Sequence, residues 1–116
     1  MRAAALALVA ACAPSAGPVL DEVTPAAARG GVHVTLTGTG LCPDAVAGAD
    51  GNCEPLPSGA VDFGLDPPIV RGLVVAWRPT SITVEVPTTQ VAIGATIVYV
   101  TVDGRSSNGL HFEVLP

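Results

Sequence analysis

The sequence predicts an all-β fold, a β-sandwich of about seven short strands. Three observations support this prediction. Short runs rich in Val, Ile and Thr alternate apolar with polar residues, which is the period of a half-buried strand. The 13 Gly and 11 Pro residues separate these runs with turn signals and interrupt most windows in which a helix would fit. No run keeps a sustained helical period, and no segment of the sequence repeats.

The last third of the chain predicts a closing hairpin. Residues 96–102 are β-branched and aromatic, residues 103–109 contain an Asp-Gly and an Asn-Gly pair, and residues 110–114 alternate again. This order predicts a strand, a loop and a returning strand. In the returning strand the apolar residues are predicted to face the core, while His111 and Glu113 face water.

The earlier strands are predicted from the same alternation. Residues 26–31 are predicted as a loop with one possible helical turn, and Val32 is predicted to begin the core-facing set of the next strand. All four aromatic residues are predicted to lie in the core: Phe63, Trp77, Tyr99 and Phe112. The predicted strands before the hairpin cover residues 19–23, 32–37, 60–64, 69–71, 73–77 and 81–86.

The first residues predict an export signal. Arg2 precedes an apolar run that is too short to span a bilayer as a helix, and small residues follow. An ordinary cleaved signal or a buried N-terminal helix would explain the run as well. Val9-Ala10-Ala11-Cys12 resembles the bacterial lipobox, in which an aliphatic residue and two small residues precede a lipidated cysteine.

The lipobox resemblance implies a domain organisation and a cellular location. Residues 1–11 are then the signal peptide, residues 12–18 a flexible Pro/Gly/Ser/Ala tether, and residues 19–116 the folded domain. The membrane is the expected partner of the lipid on Cys12. Ala13, where an Asp would favour inner-membrane retention, implies the outer membrane in a Gram-negative host. Without lipidation the protein would be secreted.

Charge and missing motifs limit the possible functions. All five basic residues are Arg, and the formal net charge is −5, which argues against nucleic acid as a partner. There is no phosphate loop, cofactor motif, serine elbow or pair of catalytic carboxylates in the sequence. His33 and His111 are predicted to be surface residues rather than parts of a triad. The sequence therefore predicts a non-catalytic protein without a cofactor.

Residues 42–59, hereafter the long loop, are the one extended stretch without strand alternation. Cys42 and Cys53 lie in it, and in an oxidising compartment this spacing predicts a local disulfide. Two free buried thiols are the alternative. A zinc site would need further ligands close by.

The same loop contains the candidate binding residues Asp44, Asp50, Asn52 and Glu54. Their oxygen atoms around a glycine raise the alternative of a calcium site, but the acid spacing of an EF-hand is absent, so no metal is predicted. A negative, disulfide-braced loop predicts a partner surface that is basic or rich in hydrogen-bond donors. A tolerated surface insertion is the alternative.

The seven strands with regular turn signals favour a sandwich of immunoglobulin type. The order of motifs over residues 19–114 resembles an IPT/TIG domain, which implies an early-set immunoglobulin-like fold. There are two departures: Leu41 replaces an aromatic residue, and the long loop is longer than usual. The motifs are Thr24-Pro25, Gly30-Gly31, Gly38-Thr39-Gly40, Val61-Asp62-Phe63-Gly64, Trp77, residues 80–87, and Ser107-Asn108 before Phe112.

The family resemblance implies several functions rather than one, because such domains occur in surface receptors, polysaccharide-active enzymes and transcription factors. We expect a binding or structural module whose partner is an envelope protein or a polysaccharide. A polysaccharide-binding accessory module is the main alternative, although core places for all aromatics would leave none for stacking on sugars. An enzyme is a distant third.

Overall fold

The computed structural model describes residues 17–42, 46–64 and 66–116. Within these ranges the chain forms twelve strands and no helix, so no described segment has the long apolar helix that crosses a membrane. The strands are β1 (Val19–Thr24), β2 (Ala27–Arg29), β3 (His33–Thr39), β4 (Val46–Ala47), β5 (Cys53–Glu54), β6 (Gly59–Phe63), β7 (Val70–Arg71), β8 (Leu73–Trp77), β9 (Ser81–Glu85), β10 (Gly94–Val102), β11 (Arg105–Ser106) and β12 (Leu110–Leu115).

Two sheets carry the fold. One has the order β1-β3-β9-β8, and the other has the order β2-β12-β10-β6-β7, with β11 paired to β10. In chain order, β1, β3, β6, β8, β9, β10 and β12 take the places of immunoglobulin strands A to G, with A, B, E and D in one sheet and C, F and G in the other. The predicted all-β, immunoglobulin-like sandwich is confirmed.

The core lies between the two sheets, and valine is its commonest residue. Alternate residues of β9 face it: Ile82, Val84 and, just beyond the strand, Val86 are fully buried, as the alternation predicts. The rings of Phe63 and Phe112 meet edge to face in the core, with their centroids 5.5 Å apart. This is a favoured geometry for an aromatic pair, so the contact adds to the stability that burial of the two rings provides.

The closing hairpin differs from its prediction in the loop. Asp103 and Gly104 alone make the turn, with φ angles of 48° and 84°, as a type I′ turn requires. Because the chain reverses at this turn, β11 pairs with Thr101 and Val102 at the end of β10. The returning strand β12 then pairs with the start of β10, so the predicted loop of seven residues is a tight turn, a short strand and a link.

The segment after β1 also differs from its prediction. Ala27–Arg29 is not a loop or a helical turn but the strand β2, which pairs in parallel with β12. Its partner is far away in the sequence, so no local pattern reports it. Val32 is 40% exposed rather than core-facing, because it lies in the turn before β3 and the alternation starts only at His33.

Asn108 fastens the N-terminal strand to the closing hairpin. Its side-chain amide donates to the Leu20 carbonyl at 3.0 Å, and its side-chain oxygen accepts from the Leu20 backbone N–H at 2.8 Å. The ladder between β1 and β3 shifts register between Leu20 and Glu22. The Asn108 side chain thus provides hydrogen-bond partners for both the N–H and the carbonyl of Leu20.

Candidate functional site

Cys42 and Cys53 form the predicted disulfide across the long loop, with their Cα atoms 6.2 Å apart. Cys53 is buried in the hydrophobic core cluster, and Cys42 packs against it. The bond therefore ties the loop to the sandwich and also closes it upon itself. The loop is less irregular than the sequence predicts, because β4 and β5 form a two-stranded hairpin inside it.

Asp50 and Asn52 make the turn of this small hairpin. The two Asp50 carboxylate oxygens accept hydrogen bonds from the backbone N–H and the side-chain amide of Asn52, each at 3.0 Å. These two donors, the side chain first, lower the pKa of Asp50 from its ordinary value of 3.8. The turn is therefore braced by this carboxylate at neutral pH, and the brace is lost in acid as the pH falls through the lowered pKa.

Asn52 and Trp77 fix the loop to β8. The Asn52 side-chain oxygen accepts the backbone N–H of Trp77 at 3.0 Å. The indole N–H of Trp77 donates to the Leu41 carbonyl at 2.8 Å, at a buried position. Trp77 is in the core as predicted, and it also satisfies the backbone at the entrance to the loop.

An open groove of about 520 Å³ lies between the loop and β8. Two exposed apolar side chains are on its walls, Leu56 at 66% and Val75 at 52% exposure. Neither residue is among the binding residues predicted from the sequence. An apolar residue in a strand, such as Val75, is ordinarily assigned to the core, whereas Leu56 lies between strands. The available signal was that residues 73–77 are apolar on both faces of the strand.

The outer edge of β8 is protected against pairing with another strand. The ladder between β8 and β9 shifts register between Val74 and Ala76, so Val75 is the extra residue of a bulge. The Trp77 backbone N–H is already bonded to Asn52. Bulges and occupied backbone groups both hinder edge pairing. The groove is therefore bordered by side chains rather than by a free strand edge.

The four predicted binding residues differ in whether their polar side-chain atoms are already hydrogen-bonded within the protein. Asp44 lies outside the described residues. Asp50 and Asn52 lie together, and their polar atoms bond to each other and to Trp77. Glu54 is exposed, and its side chain makes no hydrogen bond to any residue that the structure describes. Across the described ranges, no three His, Cys, Asp or Glu residues are grouped so as to hold a metal ion.

The long loop is at the end of the sandwich where the N-terminal segment enters. A Cβ on Gly40, two residues before the loop, would be 3.1 Å from the Pro18 Cα. Pro18 is buried, although it was predicted to be part of the tether. At the far end of the loop, Ser58 and Asp103 exchange hydrogen bonds, with distances of 2.6 Å and 3.2 Å. The predicted signal and Cys12 lie outside the described residues.

One aromatic residue does not have its predicted place. Tyr99 is half-buried and absent from the core, because it points outward between Val98 and Val100, both of which are fully buried. The predicted core places of Phe63 and Phe112 are confirmed.

The fold defines the chain as an immunoglobulin-like β-sandwich. No family model matches the chain, and no curated protein matches it. Among the solved structures it matches a γ-CGTase from alkalophilic Bacillus clarkii, with 25% identity and a TM-score of 0.65, over 86% of this chain and 12% of that one. It also matches a protein of unknown function from Bacteroides thetaiotaomicron, with 14% identity and a TM-score of 0.65, over 87% of this chain and 22% of that one. The chain thus corresponds to a small part of each of these proteins.

Proposed function

We propose that the chain is a non-catalytic immunoglobulin-like module of IPT/TIG type. In this proposal a lipid on Cys12 holds it at the bacterial cell envelope, where it binds or supports another envelope component. The observation that carries the binding role is the long loop, which the sandwich does not require and which the disulfide and the Asn52–Trp77 bond hold in place. A loop fixed before binding loses less conformational entropy when a partner docks.

The anchor would set the side on which this partner approaches. From Cys12 to Gly17 the chain covers five residues, so it spans at most about 18 Å. The N-terminal segment and the long loop are at the same end of the sandwich. The loop of the anchored protein would therefore face the membrane, and its partner would lie close to the membrane surface.

A polysaccharide-binding accessory module is the second candidate function. The observation that favours it is the similarity to a domain-sized part of a γ-CGTase, at a TM-score of 0.65. A module that fills 12% of a larger chain is an accessory to that chain rather than the whole of it. Fold similarity by itself does not transfer a ligand, so this candidate needs its own test.

The anchor is tested with Cys12→Ser in a bacterial host. We expect the wild type to incorporate labelled fatty acid and to sediment with membranes, and the variant to do neither, since the serine hydroxyl cannot accept the thioether-linked lipid. Cys53→Ser in the same host is the control, because it removes a cysteine without touching the lipobox. Equal labelling of the Cys12 variant and the wild type would contradict the anchor.

The binding role of the long loop is tested by neutralising two of its acidic residues. We expect Asp44→Asn with Glu54→Gln to weaken capture of the envelope partner by roughly two- to thirtyfold, at about 0.2–1 kcal/mol for each exposed ion pair lost. The loss should shrink in high salt, because salt screens such pairs. Both changes leave the disulfide and the Asn52–Trp77 bond in place.

Asp66→Asn with Glu113→Gln is the matched control for charge. Both residues are exposed and lie outside the long loop, and the net change in charge is the same. Capture is measured by cross-linking in isolated envelopes, followed by quantification of the partner against added salt. If both double variants retain the partner as the wild type does, the long loop is only an insertion.

A further inference from the structure

The outward face of the sheet that contains β10 carries a cluster of side chains that lies outside the long loop. Along β10, Val98, Val100 and Val102 point into the core, so Ile97, Tyr99 and Thr101 point outward, and all three are half-buried. Among the described residues, Tyr99 is therefore the one Phe, Trp or Tyr that is not buried.

Tyr99 has an ion pair beside it in the sheet. Its register partner on β6 is Asp62, and the register partner of Asp62 on β7 is Arg71. The Arg71 Nε donates to an Asp62 carboxylate oxygen at 3.3 Å. The Asp62 side chain is only 12% exposed, although it points away from the core, whereas the Arg71 side chain is 71% exposed. Three adjacent strands thus place a phenol ring, a carboxylate and a guanidinium in one row.

A shallow depression of about 260 Å³ adjoins this row. Gly59 and Ala60 line it, and neither has a side chain larger than a methyl group. Arg71 and Thr101 line it as well, so the depression meets the row at Arg71 and reaches β10 at Thr101, two residues beyond Tyr99. We call Asp62, Arg71, Tyr99 and Thr101 together the Tyr99 patch.

We propose that the Tyr99 patch binds neutral sugar residues of a polysaccharide. A tyrosine ring offers an apolar face for the C–H side of a sugar ring and a hydroxyl at its edge. The Arg71–Asp62 pair supplies donors and an acceptor side by side, as neighbouring sugar hydroxyls require. The depression over Ala60 leaves room for a ring beside the pair.

Charge and surface chemistry select this ligand over the other classes. The charge of Arg71 is balanced by Asp62, and the chain has a formal net charge of −5, so an anionic glycan would be repelled. A protein partner of ordinary interface size would need a broader apolar surface than one half-buried ring and Ile97 provide. The proposal rests on the second candidate function above, to which it assigns a site, and not on the long loop.

The test is affinity electrophoresis of the full chain carrying Cys12→Ser, in native gels with amylopectin, laminarin, xylan or galactomannan. We expect at least one of these to retard the protein. Tyr99→Ala should weaken that retardation by about tenfold or more, as truncation of a central anchor does. Tyr99→Phe should keep most of it, because the ring face remains. Arg71→Ala tests the hydrogen-bonding half of the patch and should weaken it several-fold.

His33→Ala, at an exposed position on the other sheet, is the control and should bind as the wild type does. Thermal unfolding monitored by circular dichroism establishes that each variant is folded. If the wild type is retarded by none of the four polysaccharides, the second candidate function and this site both fail. If the wild type is retarded and folded Tyr99→Ala and Arg71→Ala are retarded equally, the function stands and the Tyr99 patch is the wrong site.

Discussion

Trp77→Ala should lower the free energy of unfolding by about 3–5 kcal/mol, the usual cost of removing a large buried aromatic side chain. Two losses add in this substitution. The indole leaves a cavity next to Gly59, whose Cα faces the far edge of the ring. The buried Leu41 carbonyl also loses its donor, and an unsatisfied buried acceptor costs about 1–3 kcal/mol. The total free energy of unfolding of a domain of this size is only about 5–15 kcal/mol, so the variant should be marginally stable.

Urea unfolding followed by far-ultraviolet circular dichroism measures this effect, because Trp77 is the only tryptophan and its fluorescence is lost in the variant. Leu73→Ala is the matched control on the same strand. Leu73 is 64% exposed, so its truncation should cost less than about 1 kcal/mol. Trp77→Phe should be intermediate, since it keeps most of the apolar volume and loses the hydrogen bond. An equal urea midpoint for Trp77→Ala and Leu73→Ala would contradict the role of the indole.

Opening the Cys42–Cys53 disulfide should cost roughly 2–3 kcal/mol, from the chain entropy that a closed loop of about a dozen residues removes from the unfolded state. The sandwich should remain folded, because the strands on either side of the loop keep their ladders and core. The same chain in its oxidised and reduced forms provides the comparison, so no side chain changes. The Cys12→Ser background removes the remaining thiol.

Two measurements check this prediction. Intact mass of the unfolded, unreduced protein after alkylation should show no added label, and urea unfolding should show a lower midpoint after reduction. Cys42→Ala with Cys53→Ala should fall close to the reduced wild type, with a further small loss because Cys53 is buried in the core. Equal midpoints for the oxidised and reduced chains would show that the disulfide does not stabilise the domain.

The strand pattern and the disulfide were predictable because both depend on neighbouring residues. Alternation along residues 81–86 predicts which side chains face the core, and Ile82, Val84 and Val86 are fully buried. The turn signals that separate such runs predict a sandwich, and the two sheets have the immunoglobulin order. Cys42 and Cys53 are close in the sequence, so a short loop brings them together without help from the rest of the fold.

The long loop was predictable in position and only partly in chemistry. The absence of alternation in residues 42–59 marks a loop, and its acids indicate a negative surface. Sequence alone does not tell which acids are used internally, and Asp50 is bonded to Asn52 rather than free. The apolar wall of the groove, with Leu56 and Val75, arises only when the loop is placed beside β8.

The set of strands, most of their inward faces, the disulfide and the position of the long loop follow from the sequence, since each depends on the chemistry of adjacent residues. The tertiary structure alone establishes the pairing of β2 with β12, because the two segments lie at opposite ends of the chain. It also decided the place of Tyr99. Residues 97–100 are apolar or aromatic throughout, so both faces of β10 suit a core. Only the facing sheet of β1, β3, β9 and β8, which covers Val98 and Val100, leaves Tyr99 on the outside.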